Sequence, residues 1–154
     1  MAFTYFAYGS NLDLEQMRRR CPAHRVVGNA SLAGHRLRFQ GEGEDWGCPV
    51  ATIVPDPAGT VWGVVFDLTA EDFRVLDDYE GCRGDDDPTS LYVRREYEVR
   101  FDDGRAVTAI AYLMRERPEG MPSKKYLAAI TRGARSHGLP ADYIERLAAQ
   151  PTVD

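Results

Sequence analysis

The chain has 154 residues, 44% of them hydrophobic and 28% charged, with a net charge of −5. This length and apolar content suit one compact domain over residues 1–154, and the scattered charges leave no basic stripe for a run of phosphates, so nucleic acid is excluded as a partner. No apolar run approaches the ~18 residues of a membrane span, and residues 1–10 lack the basic start and long apolar core of a secretory signal, so a cytoplasmic protein without a membrane partner is expected.

Residues 3–8 are aromatic and strand-like, and they run into Gly9-Ser10-Asn11 ahead of a helix over about 12–20. Asp13 and Glu15 lie near the positive end of that helix, Arg18, Arg19 and Arg20 near its negative end, and Ser10 or Asn11 is available as its cap. Strands follow at about 31–39, 50–54 and 60–68. The last two are joined by a Pro55-Asp56-Pro57-Ala58-Gly59 turn, and the three together suggest a β-meander. Residues 40–49 read as a surface loop, because their Gly-x-Gly spacing neither follows a strand directly nor opens a helix.

Thr69 caps the next helix, with Asp72 completing a capping-box-like pair, and Phe73, Leu76 and Tyr79 recur along one face. Glu80 falls in its last turn and Gly81 is placed to end it. A flexible acidic loop over 82–90 leads to two strands, about 91–101 and 105–114, joined by the hairpin signal Asp102-Asp103-Gly104. Helices over about 123–137 and 141–149 close the chain, the second burying Ile144 and Leu147. Strands in the middle with helices at the ends and in one crossover give an α+β class: a curled or barrel-like mixed sheet with helices packed outside.

Cys21, Cys48 and Cys82 are odd in number and widely spaced, and His24, His35 and His137 are equally scattered, so neither a disulfide framework nor a metal site is expected. Chemistry is better sought at two places. A glycine turn followed by a helix start offers unpaired N–H groups to an anion or oxyanion, although many such turns serve only to fold. Ser10 has no His–acid pair placed to make it a nucleophile.

Glu80 sits at the negative pole of its helix beside Asp77 and Asp78, and both influences raise its pKa toward the range of a general acid–base group. The competing reading of these acids is a solvated helix end. The tyrosines are each readable as core residues with satisfied hydroxyls.

The segment Tyr5-Phe6-Ala7-Tyr8-Gly9-Ser10-Asn11-Leu12, with Leu76-Asp77-Asp78-Tyr79-Glu80-Gly81 some seventy positions later, resembles the γ-glutamyl cyclotransferase (AIG2-like) family. The likeness continues through Ala51-Thr52-Ile53, Val61-Trp62-Gly63-Val64-Val65, Tyr112-Leu113-Met114 and Gly138-Leu139-Pro140. It implies a small mixed-sheet β-barrel flanked by helices, and an enzyme that closes a γ-glutamyl amino acid or amide into 5-oxoproline and releases the amine, with no cofactor and no metal.

Carried over by position, Glu80 is the catalytic acid–base. Tyr5, Phe6, Ala7, Tyr8, Gly9, Ser10 and Asn11 form the turn that grips the glutamyl group, and Tyr92, Tyr112 and Tyr126 line the pocket. The longer loop over 82–90 departs from the family pattern. Two rivals use the same residues: removal of a protecting γ-glutamyl group from a natural product such as an aminoglycoside, whose positive charge an acidic rim of Asp77, Asp78 and Asp85 to Asp87 would suit, and a module that binds a glutamyl metabolite without turning it over. The partner is in each case a small molecule, and the sequence leaves a homodimer open.

Overall fold

In the computed structural model, which describes residues 2–154, the aromatic N-terminal segment is strand β1 (Ala2–Ala7). A 3-10 turn over Ser10–Leu12 separates it from helix α1 (Leu14–Arg20). Neither Ser10 nor Asn11 caps that helix, contrary to expectation. Asp13 holds the cap position without a side-chain hydrogen bond, because the Ser10 hydroxyl is occupied by Gln16 and the Asn11 amide by groups of the cleft.

Two long strands follow, β2 (Arg25–Gln40) and β3 (Val50–Thr69). The expected meander is instead one hairpin, and the expected pair of strands at 50–54 and 60–68 is the single strand β3. Its two halves both pair with β2, Ala51 opposite Phe39 and Val61 opposite Leu32, so they cannot fold back on each other. The Pro-Asp-Pro-Ala-Gly segment is an excursion rather than a turn. Ala33 faces Thr60 and His35 faces Pro55, so Asp56, Pro57, Ala58 and Gly59 stand opposite Gly34 alone.

Helix α2 (Ala70–Glu80) begins where the Thr69 hydroxyl accepts from Asp72 N–H at 3.1 Å, and it ends at Gly81, whose left-handed φ of 63° favours a residue without Cβ. The Asp72 carboxylate does not complete a capping box; it accepts from the Ala23 N–H at 2.8 Å and ties α2 to the segment after α1. Strands β4 (Tyr92–Phe101) and β5 (Ala106–Met114) form the expected hairpin around Gly104. Helices α3 (Lys124–His137), capped by Ser123 and ended by Gly138, and α4 (Ala141–Ala148) complete the chain. Helix α4 buries Tyr143 and Leu147, while Ile144 is only half-buried.

The strands close into a barrel in the order β1-β3-β2-β4-β5, all neighbours antiparallel except β1 and β5, which meet in parallel at Tyr5 and Ile110. The expectation of a small mixed barrel flanked by helices is met. Its core is built from Phe6, Phe66, Leu68, Val61 and Ile53, with Phe73 and Leu76 of α2 and Ile130 of α3 packed against it. Gly133 lets α3 lie directly on the 3-10 turn: a Cβ there would fall 2.3 Å from the Leu12 carbonyl carbon. Among the described residues, no helix is long and apolar enough to cross a membrane.

Candidate active site

The end of β1, the turn after it and the end of α2 converge on one cavity. Tyr5, Tyr8, Gly9, Ser10, Asn11, Ala51, Glu80, Tyr92, Tyr112 and Tyr126 line it and enclose about 300 Å³ of unfilled space, part of it open to solvent. Residues separated by up to 121 positions, Tyr5 and Tyr126, are therefore brought to one cavity, and most of the expected site residues line it. Phe6 and Ala7 are the exceptions. The Phe6 ring points into the core, into the room left by Gly63, and Ala7 contributes backbone to the pairing with Val64.

Glu80 is largely enclosed, with 16% of its side chain exposed. Its Oε1 accepts from Asn11 Nδ2 at 2.9 Å and lies 3.8 Å from Arg20 Nη1. Its pKa is raised, chiefly because burial disfavours the charged form; Arg20 and the Asn11 hydrogen bond act the other way, and Asp45 and Asp77 add to the rise. The expected direction is met, but the main cause is desolvation.

The tyrosine hydroxyls are largely committed to the protein. Tyr8 donates to the Tyr112 carbonyl and Tyr92 to the Ala51 carbonyl, Tyr112 donates to Asp77 Oδ1 at 2.6 Å, and Tyr126 accepts from the Ala51 N–H at 2.8 Å. Burial lifts the pKa of each, so they form a neutral aromatic wall. Tyr5 resembles Tyr126 in this: its oxygen accepts from Asn11 Nδ2 at 2.9 Å, and neither hydroxyl proton has an acceptor among the described residues. Gly9 and Ser10 also line the cavity, and their backbone N–H groups make no hydrogen bond among the described residues.

A second, outer chamber of about 500 Å³, partly open, shares Ser10, Glu80, Tyr92 and Tyr126 with the inner one. The loop over 41–49 forms one of its walls and is more than a surface loop. Trp46 packs edge-on against Tyr126 with ring centroids 5.0 Å apart, and Asp45 Oδ2 lies 3.3 Å from Arg20 Nη2.

The loop over 82–90 forms the opposite wall through Arg83 and Thr89. The acidic stretch expected to be flexible is held internally: the buried Ser90 hydroxyl accepts from Arg83 N–H at 2.9 Å and donates to the Gly84 carbonyl at 3.0 Å, and Arg115 donates to the Asp87 carbonyl at 2.8 Å. Of the expected acidic rim only Asp78 comes beside the outer chamber, in a surface depression that it shares with Glu44, Asp45 and Tyr79. Asp77 is bound by Arg94 and Asp85 by Arg95, and none of Asp77, Asp78, Asp85, Asp86 and Asp87 lines either chamber. The chamber is instead mixed in charge, with Arg20 and Arg83 beside Glu44 and Asp45. Arg20, Gln16, Asp45 and Trp46 were absent from the sequence expectation.

Residues 60–147 match the model of the AIG2-like family. The chain is 36% identical over 152 residues to a gamma-glutamylcyclotransferase of Homo sapiens, covering 96% of this chain and 78% of that protein. It belongs to the AIG2-like γ-glutamylcyclotransferase family. A solved gamma-glutamyl cyclotransferase superposes on this family member with a TM-score of 0.92 at 33% identity, covering all of this chain and 90% of the other. The structure of YkqA from Bacillus subtilis matches with a TM-score of 0.77 at 26% identity, over 98% of this chain and 56% of that one.

Proposed function

We propose that the protein converts a γ-glutamyl amino acid or amide into 5-oxoproline and a free amine, with Glu80 as general acid–base. One observation carries the reading: an enclosed carboxyl whose charged form is disfavoured by burial stands beside the Gly9-Ser10 turn in a cavity walled by neutral tyrosines. Such a group exchanges protons near neutral pH more readily than a solvated carboxylate.

The reaction is intramolecular. The substrate's α-nitrogen forms a bond to its own γ-carbonyl carbon, and the bond from that carbon to the departing nitrogen breaks, so correct folding of the glutamyl chain supplies much of the rate. The inner cavity holds the glutamyl portion bent. The N–H groups of Gly9 and Ser10 receive the oxyanion as the carbonyl becomes tetrahedral. Glu80 accepts a proton from the α-nitrogen and delivers it to the departing nitrogen, and it does so twice. The α-ammonium gives up two protons in becoming the lactam N–H, while the amide nitrogen gains two and leaves as an ammonium through the outer chamber. The mixed charge of that chamber suits an amino acid better than a polycation, because Arg83 lies at its wall and makes no close ion pair among the described residues.

The test is a panel of γ-glutamyl amino acids, γ-glutamylamines, glutathione and γ-glutamylated aminoglycosides, with 5-oxoproline measured by mass spectrometry. Turnover of at least one member by the wild type is expected, and Glu80→Gln, folded, should lose it by roughly 100-fold or more. Full activity in Glu80→Gln removes Glu80 from the mechanism; tight binding of a γ-glutamyl compound without product establishes a sensor.

A further inference from the structure

The orientation of the Asn11 amide is decided by its neighbours. Its Oδ1 lies 3.0 Å from Gln16 Nε2 and 3.2 Å from Arg20 Nη1. A guanidinium offers only donors, so the group facing it must be the carbonyl, and the NH₂ is thereby turned toward Tyr5 Oη and Glu80 Oε1, each 2.9 Å away. Arg20 is itself fixed from the far side by Asp45 and by the Tyr79 ring, whose centroid is 4.5 Å from its guanidinium carbon. Only 9% of its side chain is exposed. Among the described residues the hydrogen bond and the ion-pair contact to the Glu80 carboxyl both fall on Oε1, and Oε2 makes no hydrogen bond.

We infer that Arg20 is a positioning residue which, through Asn11, commits Glu80 Oε1 to a standing hydrogen bond and leaves Oε2 as the oxygen that takes and returns the proton. The inference rests on the acid–base reading of Glu80 and adds the atom and its keeper. It is self-consistent in both protonation states. Oε1 accepts from Asn11 whether the group is a carboxylate or an acid whose hydroxyl is at Oε2, so a proton can arrive and leave without rotation of the carboxyl.

Arg20 also acts on the ionisation of Glu80, and it does so among other groups. From α1 and its end come Arg20 and Cys21, from the loop over 41–49 Asp45, and from α2 itself Asp77. Tyr5 and Tyr8 face Glu80 from β1 and its end, Tyr92 and Tyr112 from β4 and β5, and Tyr126 from α3. Arg20 favours the carboxylate, Asp45 and Asp77 oppose it, and the tyrosines stay neutral.

The test compares wild type, Arg20→Met and Arg20→Lys by pH–rate profiles of 5-oxoproline formation and by titration of the Glu80 carboxyl in ¹³C-glutamate-labelled protein. Arg20→Met should move the Glu80 titration and the acidic limb of kcat/KM to higher pH and lower kcat roughly 10- to 100-fold, with a smaller effect on KM. Arg20→Lys keeps a charge but lacks the planar fork, so the limb should return toward its wild-type position while kcat stays low. If Arg20→Met does not fold, Arg20→Lys alone decides: a wild-type kcat in that variant overturns the inference. A folded Arg20→Met with unmoved titration and unmoved kcat overturns it and leaves the cyclotransferase reading intact. A wild type that turns over no γ-glutamyl compound brings down both.

Discussion

Arg94 closes on Asp77 through two parallel hydrogen bonds, Nε to Oδ1 at 3.0 Å and Nη2 to Oδ2 at 2.8 Å. The same Oδ1 receives the Tyr112 hydroxyl, and the guanidinium lies 3.7 Å above the centroid of Phe73. One carboxylate thus joins α2, β4 and β5 a single turn before Glu80. Replacing Arg94 by Met should cost about 1–2 kcal/mol, less than a fully buried pair would, because 33% of Arg94 and 21% of Asp77 remain exposed. Urea unfolding measures the cost, and a double-mutant cycle with Asp77→Asn separates the pair from its parts. An unchanged midpoint would mean that the pair adds nothing to stability.

The burial of Glu80 has a price in stability that depends on pH. Its folded pKa is raised, so between the ordinary carboxylate value and the raised one the native state holds more protons than the unfolded chain, and stability falls as pH rises through that window. Glu80→Gln carries no such cost. The variant should match the wild type in acid, where Glu80 is protonated, and become the more stable of the two above the window. Thermal unfolding across pH checks this; a constant difference at every pH would contradict it.

Gly133→Ala places a methyl group 2.3 Å from the Leu12 carbonyl carbon and 2.6 Å from the Asp13 nitrogen, both of them backbone atoms that cannot swing aside. Helix α3 must retreat from the 3-10 turn. A loss of about 3 kcal/mol is expected by denaturant unfolding, with a fall in kcat because the retreat moves Ser10 and Tyr126 apart.

Trp46, packed on Tyr126, is one of the contacts that seat the loop over 41–49, so Trp46→Ala should raise KM more than it lowers kcat. Tyr126→Phe acts differently. It leaves the buried Ala51 N–H without its acceptor, costing about 1–3 kcal/mol while the ring and the loop stay in place. Steady-state kinetics paired with unfolding curves distinguishes the two.

Signals that act within a few residues were readable from the sequence. Thr69 and Gly81 bracket α2, Ser123 and Gly138 bracket α3, and Gly104 turns the β4–β5 hairpin, each through a local backbone requirement. The family motifs supplied Glu80 and the tyrosines, which local spacing alone left ambiguous with core and surface roles. What escaped depends on contacts across the chain. Arg20 reads as one of three arginines suited to a helix C-terminus, and only the arrival of Asp45 and Glu80 from distant segments shows why it is the buried one. Asp77 reads as an acidic neighbour of Glu80, yet Arg94, seventeen positions on, neutralises it. The continuity of β3 was hidden because proline and glycine mark a reversal and an excursion in the same way, and the pairing partner decides between them.

That excursion has a consequence for how the chain can be altered. Asp56 to Gly59 lie outside the register that fixes Ala51 on one side of them and Val64 on the other, with Ala33 and His35 resuming the pairing on either side of Gly34. The barrel wall is already spliced there. Extra residues grafted between Pro57 and Ala58 would lengthen a protrusion and not a strand, giving the molecule a built-in port for an epitope or a reporter remote from Glu80.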